Sequence, residues 1–426
     1  MPSSFDLRRK RNPLSRIDRF GNKWRQFDFV LWLVPCSLVL LASVLIASTQ
    51  RQVDYADWYQ HLIIALLGVF IARGLAQISI EKVRSILIPI YCLSLGSLVA
   101  VRFIGTSALG AQRWLNIAGL NVQPSEFAKL IAIIALAAVL DGYQVTKPVH
   151  LIKPFSVILP LWLLIFFQPD LGTSLVFGAV LIAMLYWTGM PLAWAFLALS
   201  TICTAVLAGL MPLVLFVWIP LMAVLAFRSL PHRKLAALVT IAMQSAIAWM
   251  TPWLWLNGLK DYQRDRLVLF LDPSQDPLGG GYHLLQSTVG IGSGGLLGTG
   301  LLQGQLTKLR FIPEQHTDFI FSALGEETGF LGTMIVITGF FFFMVRLLNV
   351  AREARTDFES LVVIGVLAML VFQVIVNIFM TIGLGPVTGI PLPFMSYGRT
   401  ALLVNFIALG FCLSVARRGY AASKNW

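Results

Sequence analysis

The chain has 426 residues, 57% of them hydrophobic, with a mean hydropathy of +0.79 and a formal net charge of +12. Soluble domains carry about 45–50% apolar residues and no series of uninterrupted apolar runs of bilayer length, so a soluble fold is excluded. A membrane β-barrel is excluded because the runs are continuous and do not alternate. Nucleic acid is not implied either, because the positive residues cluster beside the runs, as membrane topology requires.

Residues 1–28 form a basic tail carrying Arg8, Arg9, Lys10, Arg11, Arg16, Arg19, Lys23 and Arg25. No short apolar segment with a small-residue cleavage site follows it. The first run, 29–48, is long enough to span a bilayer, so the tail reads as a cytoplasmic anchor with no signal peptide removed. Spans of about 20 residues fall near 29–48, 59–78, 84–104, 124–141, 153–168, 171–188, 191–210, 212–228, 235–256, 318–345, 359–383 and 397–416. The expected fold is therefore an all-α polytopic membrane protein of twelve spans, or ten if 191–228 is a re-entrant pair.

Transmembrane blocks 29–256 and 318–416 thus flank a large loop at 257–317, and 417–426 form a second tail. Starting inside, the inside loops collect Arg73, Lys82 and Arg84; Lys147 and Lys153; Arg228, Arg233 and Lys234; Arg346, Arg352 and Arg355; then Arg417, Arg418 and Lys424. By the positive-inside rule both termini are cytoplasmic and the large loop is extracytoplasmic. Removing the pair 191–228 leaves that sidedness unchanged. Cys36, Cys92, Cys203 and Cys412 sit in the apolar runs without metal-like spacing and read as small core residues.

Between the third and fourth spans, Gln123-Pro124-Ser125-Glu126 is a helix start, with Pro near the first turn and an acid at the positive end of the dipole. Glu126 and Lys129 are spaced i,i+3 and can pair at the membrane boundary, as a structural ion pair or as part of a site. Arg113-Trp114 suits an interfacial anchor or a phosphate contact. Asp170, in Gln168-Pro169-Asp170, is either the N-cap of the sixth span or a functional acid near the membrane.

The large loop concentrates the charge of a chain in which only 12% of residues are charged. It brings together Asp261, Asp265, Asp272, Asp276, Glu314 and Asp318 with Arg264, Arg266, Lys308 and Arg310. It also contains a GxGxxG match at Gly290, Gly292 and Gly295, but no strand precedes it and no βαβ unit surrounds it, so nucleotide binding is rejected. The glycine run there reads as irregular backbone packed near the membrane surface. Near the end, Gly383, Gly385, Pro386, Gly389, Pro391 and Pro393 interrupt an apolar run. Such backbone at membrane depth must be buried in protein or line a cavity, so a cavity wall is expected there.

These motifs together resemble the SEDS family (shape, elongation, division and sporulation) of bacterial peptidoglycan polymerases, represented by RodA and FtsW. The resemblance rests on QRWLN, QPSEFAKL, QPDLGTS, YQRDRLVLFLDPSQDPLGGGYHLLQS, IGSGG, IPEQHTDFIFSALGEETG and PVTGIPLPFMSYG, in family order over most of the chain. DPLGGGYH and IGSGG look like the elongation branch more than the division branch. Two departures stand out. The family commonly has ten spans, so 191–228 reads as an added pair, expected at the periphery. It also usually reads Ser-Tyr-Gly-Gly-Ser where this chain has Ser396-Tyr397-Gly398-Arg399-Thr400, so the family pattern assigns no role to Arg399 and Thr400.

The resemblance implies glycosyl transfer with lipid II as acceptor and a growing glycan strand on polyprenyl diphosphate as donor. The family's essential loop carboxylate falls on Asp276, the candidate general base; Asp272 is less constrained. Evenly weighed against that role is a plain helix-cap or turn role for Asp276. Arg113, Lys129, Arg264, Arg266 and Lys308 are candidate diphosphate contacts by charge and side, each weighed against a headgroup-facing role. Glu126, Asp170, His316, Asp318 and Ser396 complete the candidate substrate-binding set. No cofactor is certain, and a divalent cation could replace some of the cationic contacts.

The expected partners are a class B penicillin-binding protein and elongation-complex membrane proteins, in a bacterial plasma membrane. Two other classes remain: a lipid II flippase or transporter, which predicts internal repeats and midplane charges, and a non-enzymatic scaffold of the wall-synthesis complex. No clear repeat is found, and a scaffold gives no reason for so concentrated a polar loop.

Overall fold

A computed structural model describes residues 28–50, 57–108, 111–117, 119–168, 170–253, 280–309, 311 and 315–423, together with 255, 257, 264, 266 and 268–270. The first half is built from α1 (Phe29–Thr49), α2 (Asp57–Leu75), α3 (Ile80–Ser85) and α4 (Leu87–Ile104), then strands β1 (Thr106–Ala108), β2 (Ala111–Ile117) and β3 (Leu120–Val122). It continues with α5 (Pro124–Leu140), α6 (Ile152–Phe167), α7 (Leu171–Trp187), α8 (Leu192–Leu210), α9 (Leu215–Ser229) and α10 (Arg233–Trp253). The second half holds α11 (Gly280–Ser293), α12 (Gln305–Lys308), α13 (Ile320–Arg352), α14 (Asp357–Thr381) and α15 (Arg399–Ser423).

The protein is an all-α polytopic membrane protein. Each of the twelve expected apolar stretches coincides with a helix, because in lipid every backbone N–H and C=O must be satisfied within the segment. Among the described residues, ten helices are long and apolar enough to cross a bilayer; α5 and α7 have 17 residues each. Among the described residues an antiparallel meander β1–β2–β3 forms in a stretch the sequence left as a connection. It pairs Leu115 with Val122 and Ile117 with Leu120, turning at Gly119, whose φ of +82° suits glycine.

Helices α14 and α15 form the centre: 61% and 78% of their apolar windows are buried inside the protein, against 11% for α10. Small residues let α2 and α15 approach closely. A Cβ on Gly68 would lie 2.5 Å from the Phe406 ring, and one on Gly410 would lie 2.9 Å from Ala72 Cα. Edge-to-face rings at Phe343, Phe394 and Phe406 tie α13 and α15 to the connection between α14 and α15. Such pairs add about 0.5–1.5 kcal/mol each beyond area burial.

The glycine run 294–300 packs backbone to backbone on α13, as irregular structure. A Cβ on Gly294 would sit 2.0 Å from Gly325 O, and one on Gly298 would sit 2.2 Å from Glu327 O. Gly329 kinks α13 there, at φ +63° and ψ −163°. Two buried acids of α13 hold the run in place. Glu326 accepts from Leu306 N and Thr307 N, each at 2.8 Å, and Glu327 accepts from Leu302 N at 2.9 Å and from the Ser48 hydroxyl. The second half of the large loop is therefore structured. Helix α11 is anchored to α14 by Ser287 Oγ donating to Thr381 O at 2.7 Å.

Helices α8 and α9, the apparent extra pair, pack on each other and on α10, with α8 also touching α7. They make their own small apolar cluster around Leu197, Met222 and Ala226, separate from the main core. A buried network crosses all three: Gln244 Nε2 donates to Ser200 Oγ at 2.7 Å, Thr204 Oγ1 to Gln244 Oε1 at 3.3 Å, and Trp218 Nε1 to Thr204 Oγ1 at 3.0 Å.

Candidate functional site

A polar cavity of about 420 Å³ opens where the meander, the starts of α5 and α7, and the connection before α15 meet. Its volume falls in the range of small-molecule sites, about 300–1,000 Å³. Strand β2 contributes Arg113 and Trp114, and β3 contributes Asn121. The Pro124 start of α5 puts Glu126 in its first turn and Lys129 one turn later, as the local pattern predicts. Lys129 Nζ donates to Glu126 Oε1 at 2.8 Å, with the two side chains 2% and 4% exposed.

Asp170 meets its cap reading in the structure. It is the N-cap of α7, its Oδ1 accepting from Thr173 N at 3.2 Å, and it lines the cavity. Its carboxylate also receives Gln123 Nε2 at 3.3 Å and faces Arg113 Nη1 at 3.7 Å. Asp318 and Arg266 both approach Gly389, whose φ is +72°. A Cβ there would lie 3.4 Å from Asp318 Oδ2 and 3.7 Å from Arg266 Nη1. The positive φ favours glycine here, while a Cβ would only touch these two groups at ordinary contact distance.

The proline- and glycine-broken stretch before α15 forms one wall, as expected of irregular backbone among spans. Asn377 of α14 holds that wall, its Nδ2 donating to Ile390 O at 2.8 Å and to Asp318 O at 2.9 Å. Gly172 in α7 lets the wall approach, since a Cβ there would be 2.8 Å from Thr388 O. Tyr397, Arg399 and Thr400 complete the lining. Arg399 Nε donates to the Tyr397 hydroxyl at 3.1 Å, and the Thr400 hydroxyl accepts from Gln123 N at 3.2 Å.

Six of the sequence-derived candidates therefore line one cavity: Arg113, Glu126, Lys129, Asp170, Arg266 and Asp318. Four do not. Ser396 is buried, its hydroxyl accepting from Leu392 N at 2.7 Å, which closes a turn in the wall. His316 stands behind the lining, its carbonyl accepting from Tyr397 N at 2.9 Å and its ring 5.7 Å from the Tyr397 ring. Lys308 ends α12, beside the Glu327 carboxylate, and Arg264 lies off the lining. Asp276 and Asp272 lie outside the described residues. Among the described residues, no three His, Cys, Asp or Glu side chains are grouped to hold a metal ion.

Gln373 was missed. It lines the cavity from α14 and is 1% exposed. Gln373, Asn377 and Thr381 fall at i, i+4 and i+8 of a strongly apolar helix. That polar stripe was the available signal.

With four cations and three carboxylates among the described lining residues, the cavity is chemically suited to a polar, partly anionic group. Comparison with known proteins decides the family. Residues 25–221 and 212–420 match the profile of the cell cycle proteins FtsW, RodA and SpoVE. The chain belongs to this family. The two matched stretches overlap at 212–221, within the apparent extra pair.

Among family members, the peptidoglycan glycosyltransferase RodA of Treponema pallidum is 32% identical, over 92% of this chain and 98% of its own. The peptidoglycan glycosyltransferase MrdB of Escherichia coli K12 is also 32% identical, over 93% and 95% of the two chains. Two solved structures are similar. One is from a study of the structural coordination of polymerization and crosslinking by a peptidoglycan synthase complex. It has a TM-score of 0.68 at 29% identity, covering 92% of this chain and 98% of that one. The other is the rod shape determining protein RodA of Thermus thermophilus, with a TM-score of 0.61 at 25% identity, covering 93% and 99%.

Proposed function

We propose that this protein is a peptidoglycan glycosyltransferase of the elongation type, polymerising lipid II into glycan strands. The observation that carries the reading is the cavity, where charged side chains from both halves of the chain converge among membrane helices. The names of relatives at 32% identity support the same activity. A sugar hydroxyl is a poor nucleophile and needs a base within reach. A diphosphate leaves readily once its charge is neutralised.

In the reaction, the hydroxyl oxygen of lipid II bonds to the anomeric carbon of the donor glycan. The bond from that carbon to the diphosphate oxygen breaks, and polyprenyl diphosphate departs with the electron pair. The hydroxyl proton passes to the carboxylate of Asp276. Arg113, Lys129 and Arg266 orient the anionic and polar groups of the two substrates, with Glu126, Asp170 and Asp318 setting the geometry of those cations.

Purified full-length protein should polymerise lipid II, and failure to do so would overturn the function. Asp276→Asn should lower the rate by about 10²–10⁴-fold while expression and lipid II binding stay near wild type; Asp272→Asn should be much milder. Turnover within a few-fold of wild type in Asp276→Asn would remove the base assignment and turn attention to Asp318 or Asp170.

Partners and sidedness belong to the same reading. The solved neighbour named for polymerization and crosslinking supports a class B penicillin-binding protein, alongside other elongation-complex proteins, in the bacterial plasma membrane. Co-purification with such a transpeptidase in mild detergent is expected, and its absence counts against the pairing. The arginine and lysine distribution supports cytoplasmic termini and an extracytoplasmic 257–317 loop. A Ser274→Cys variant should label from outside in intact cells; labelling only after lysis would reverse the topology.

A further inference from the structure

Four cations line the cavity against three carboxylates among the described residues. Three of the cations arrive beside an acid. Lys129 is hydrogen-bonded to Glu126, Arg113 lies 3.7 Å from Asp170, and Arg266 and Asp318 both approach Gly389. The fourth, Arg399, hydrogen-bonds to the Tyr397 phenol, whose own hydroxyl donates to Gln60 Oε1 at 3.2 Å and lies beside the Asp57 carboxylate behind the lining. Among the described residues the lining therefore carries one cation in excess, and Arg399 is held through a phenol instead of a lining carboxylate.

Arg399 is also the first residue of α15, and Gly398, Thr400 and Ala401 line the same space. The first turn of a 25-residue helix adds unpaired N–H groups and the positive end of its dipole to the guanidinium. A second observation concerns the rest of the ligand. Glu126 Oε2 and Gln373 Oε1 are buried acceptors in this cavity with no hydrogen-bond partner among the described residues. Buried acceptors in that condition call for donors. A ligand that suits both features is anionic at one end and bears hydroxyl or amide N–H groups at the other.

We propose that Arg399, with the first turn of α15, is a diphosphate subsite of this chain, holding the phosphates of a lipid-linked glycosyl diphosphate whose sugar donors reach Gln373 and Glu126. The proposal rests on the glycosyltransferase reading and assigns a role to the position where the chain departs from the family's Gly-Gly-Ser. The guanidinium offers a planar fork that matches phosphate oxygens, which the acid-paired cations of the cavity offer less completely.

The test uses full-length protein in detergent, with undecaprenyl diphosphate as probe and undecaprenol as the uncharged control. Arg399→Gln and Arg399→Gly should each weaken diphosphate binding at least about tenfold, leave undecaprenol binding unchanged, and keep the melting temperature. Arg399→Lys should recover part of the loss, since it restores charge without the fork. Competition by inorganic diphosphate would assign recognition to the phosphates alone, and its absence to the lipid-linked form; with the loss in Arg399→Gln, either supports the subsite.

Equal diphosphate affinity in wild type and in a folded Arg399→Gln or Arg399→Gly protein would overturn it. Because the readout is binding, the two readings fail separately. Wild type that binds diphosphate through Arg399 but polymerises nothing removes the function and keeps the subsite. Wild type that polymerises with Arg399-independent binding does the reverse.

Discussion

The cavity-bearing bundle and the α8–α10 unit both bury polar side chains between membrane helices, but they do so with different chemistry. Around the cavity the buried groups are charged: Lys129 with Glu126, and Arg113 with Asp170. In α8–α10 they are neutral, the amide of Gln244 joined to the hydroxyls of Ser200 and Thr204 and, through Thr204, to the indole of Trp218. Ions are costly at membrane depth and persist where they meet partners or a water-filled cavity. Neutral hydrogen bonds cost less and serve to join helices. In these two regions buried charge goes with the cavity and neutral groups with helix joining, although elsewhere the buried acids Glu326 and Glu327 also serve assembly.

Three variants would break or sharpen that contrast. The largest effect is expected at the cavity. Lys129→Met leaves the Glu126 carboxylate buried without its cation, which should cost about 3–5 kcal/mol, read as a drop in unfolding midpoint in detergent. The double variant Lys129→Met with Glu126→Leu should regain most of that loss, since removing both charges also removes the desolvation penalty. If the double variant is no more stable than the single one, the pair is not an isolated charge couple and the contrast fails on the bundle side. The smallest effect is expected in the satellite. Gln244→Leu should cost about 0.6–1.7 kcal/mol for each hydrogen bond lost in lipid and leave polymerisation at the wild-type rate. A loss of turnover there would show that α8–α10 acts on the cavity instead of merely standing beside it.

The satellite also changes what the extra pair means. From sequence, 191–228 reads as an added pair expected at the periphery. The pair has its own small apolar cluster, but Trp194 and Ala195 of α8 join the main core, and Gln244 of α10 takes its partners from α8. Cutting out the pair would leave that amide without partners among the described residues, so α8–α10 behaves as one three-helix unit.

By itself the sequence determined the elements, because a span is a local property: an apolar run of bilayer length is helical whatever surrounds it. It also marked the helix starts at Pro124 and Asp170, where proline, acid and cap chemistry act within one turn. Six of the cavity residues were readable for a related reason: charge in an apolar chain is conspicuous.

What only the tertiary structure decided was partnership. Asn377 and Tyr397 draw their roles from groups far away in the chain, a carbonyl at Asp318 and an amide at Gln60, and Gln373 draws its role from the cavity it lines. Ser396 and His316 look like site residues in a motif, yet the fold uses one to close a turn and sets the other behind Tyr397. A hydrogen bond or ion pair between distant residues depends on how helices are laid against one another. That arrangement is set by many small packing choices, such as Gly68 against Phe406 and Gly294 against Gly325, and no single stretch of sequence encodes it.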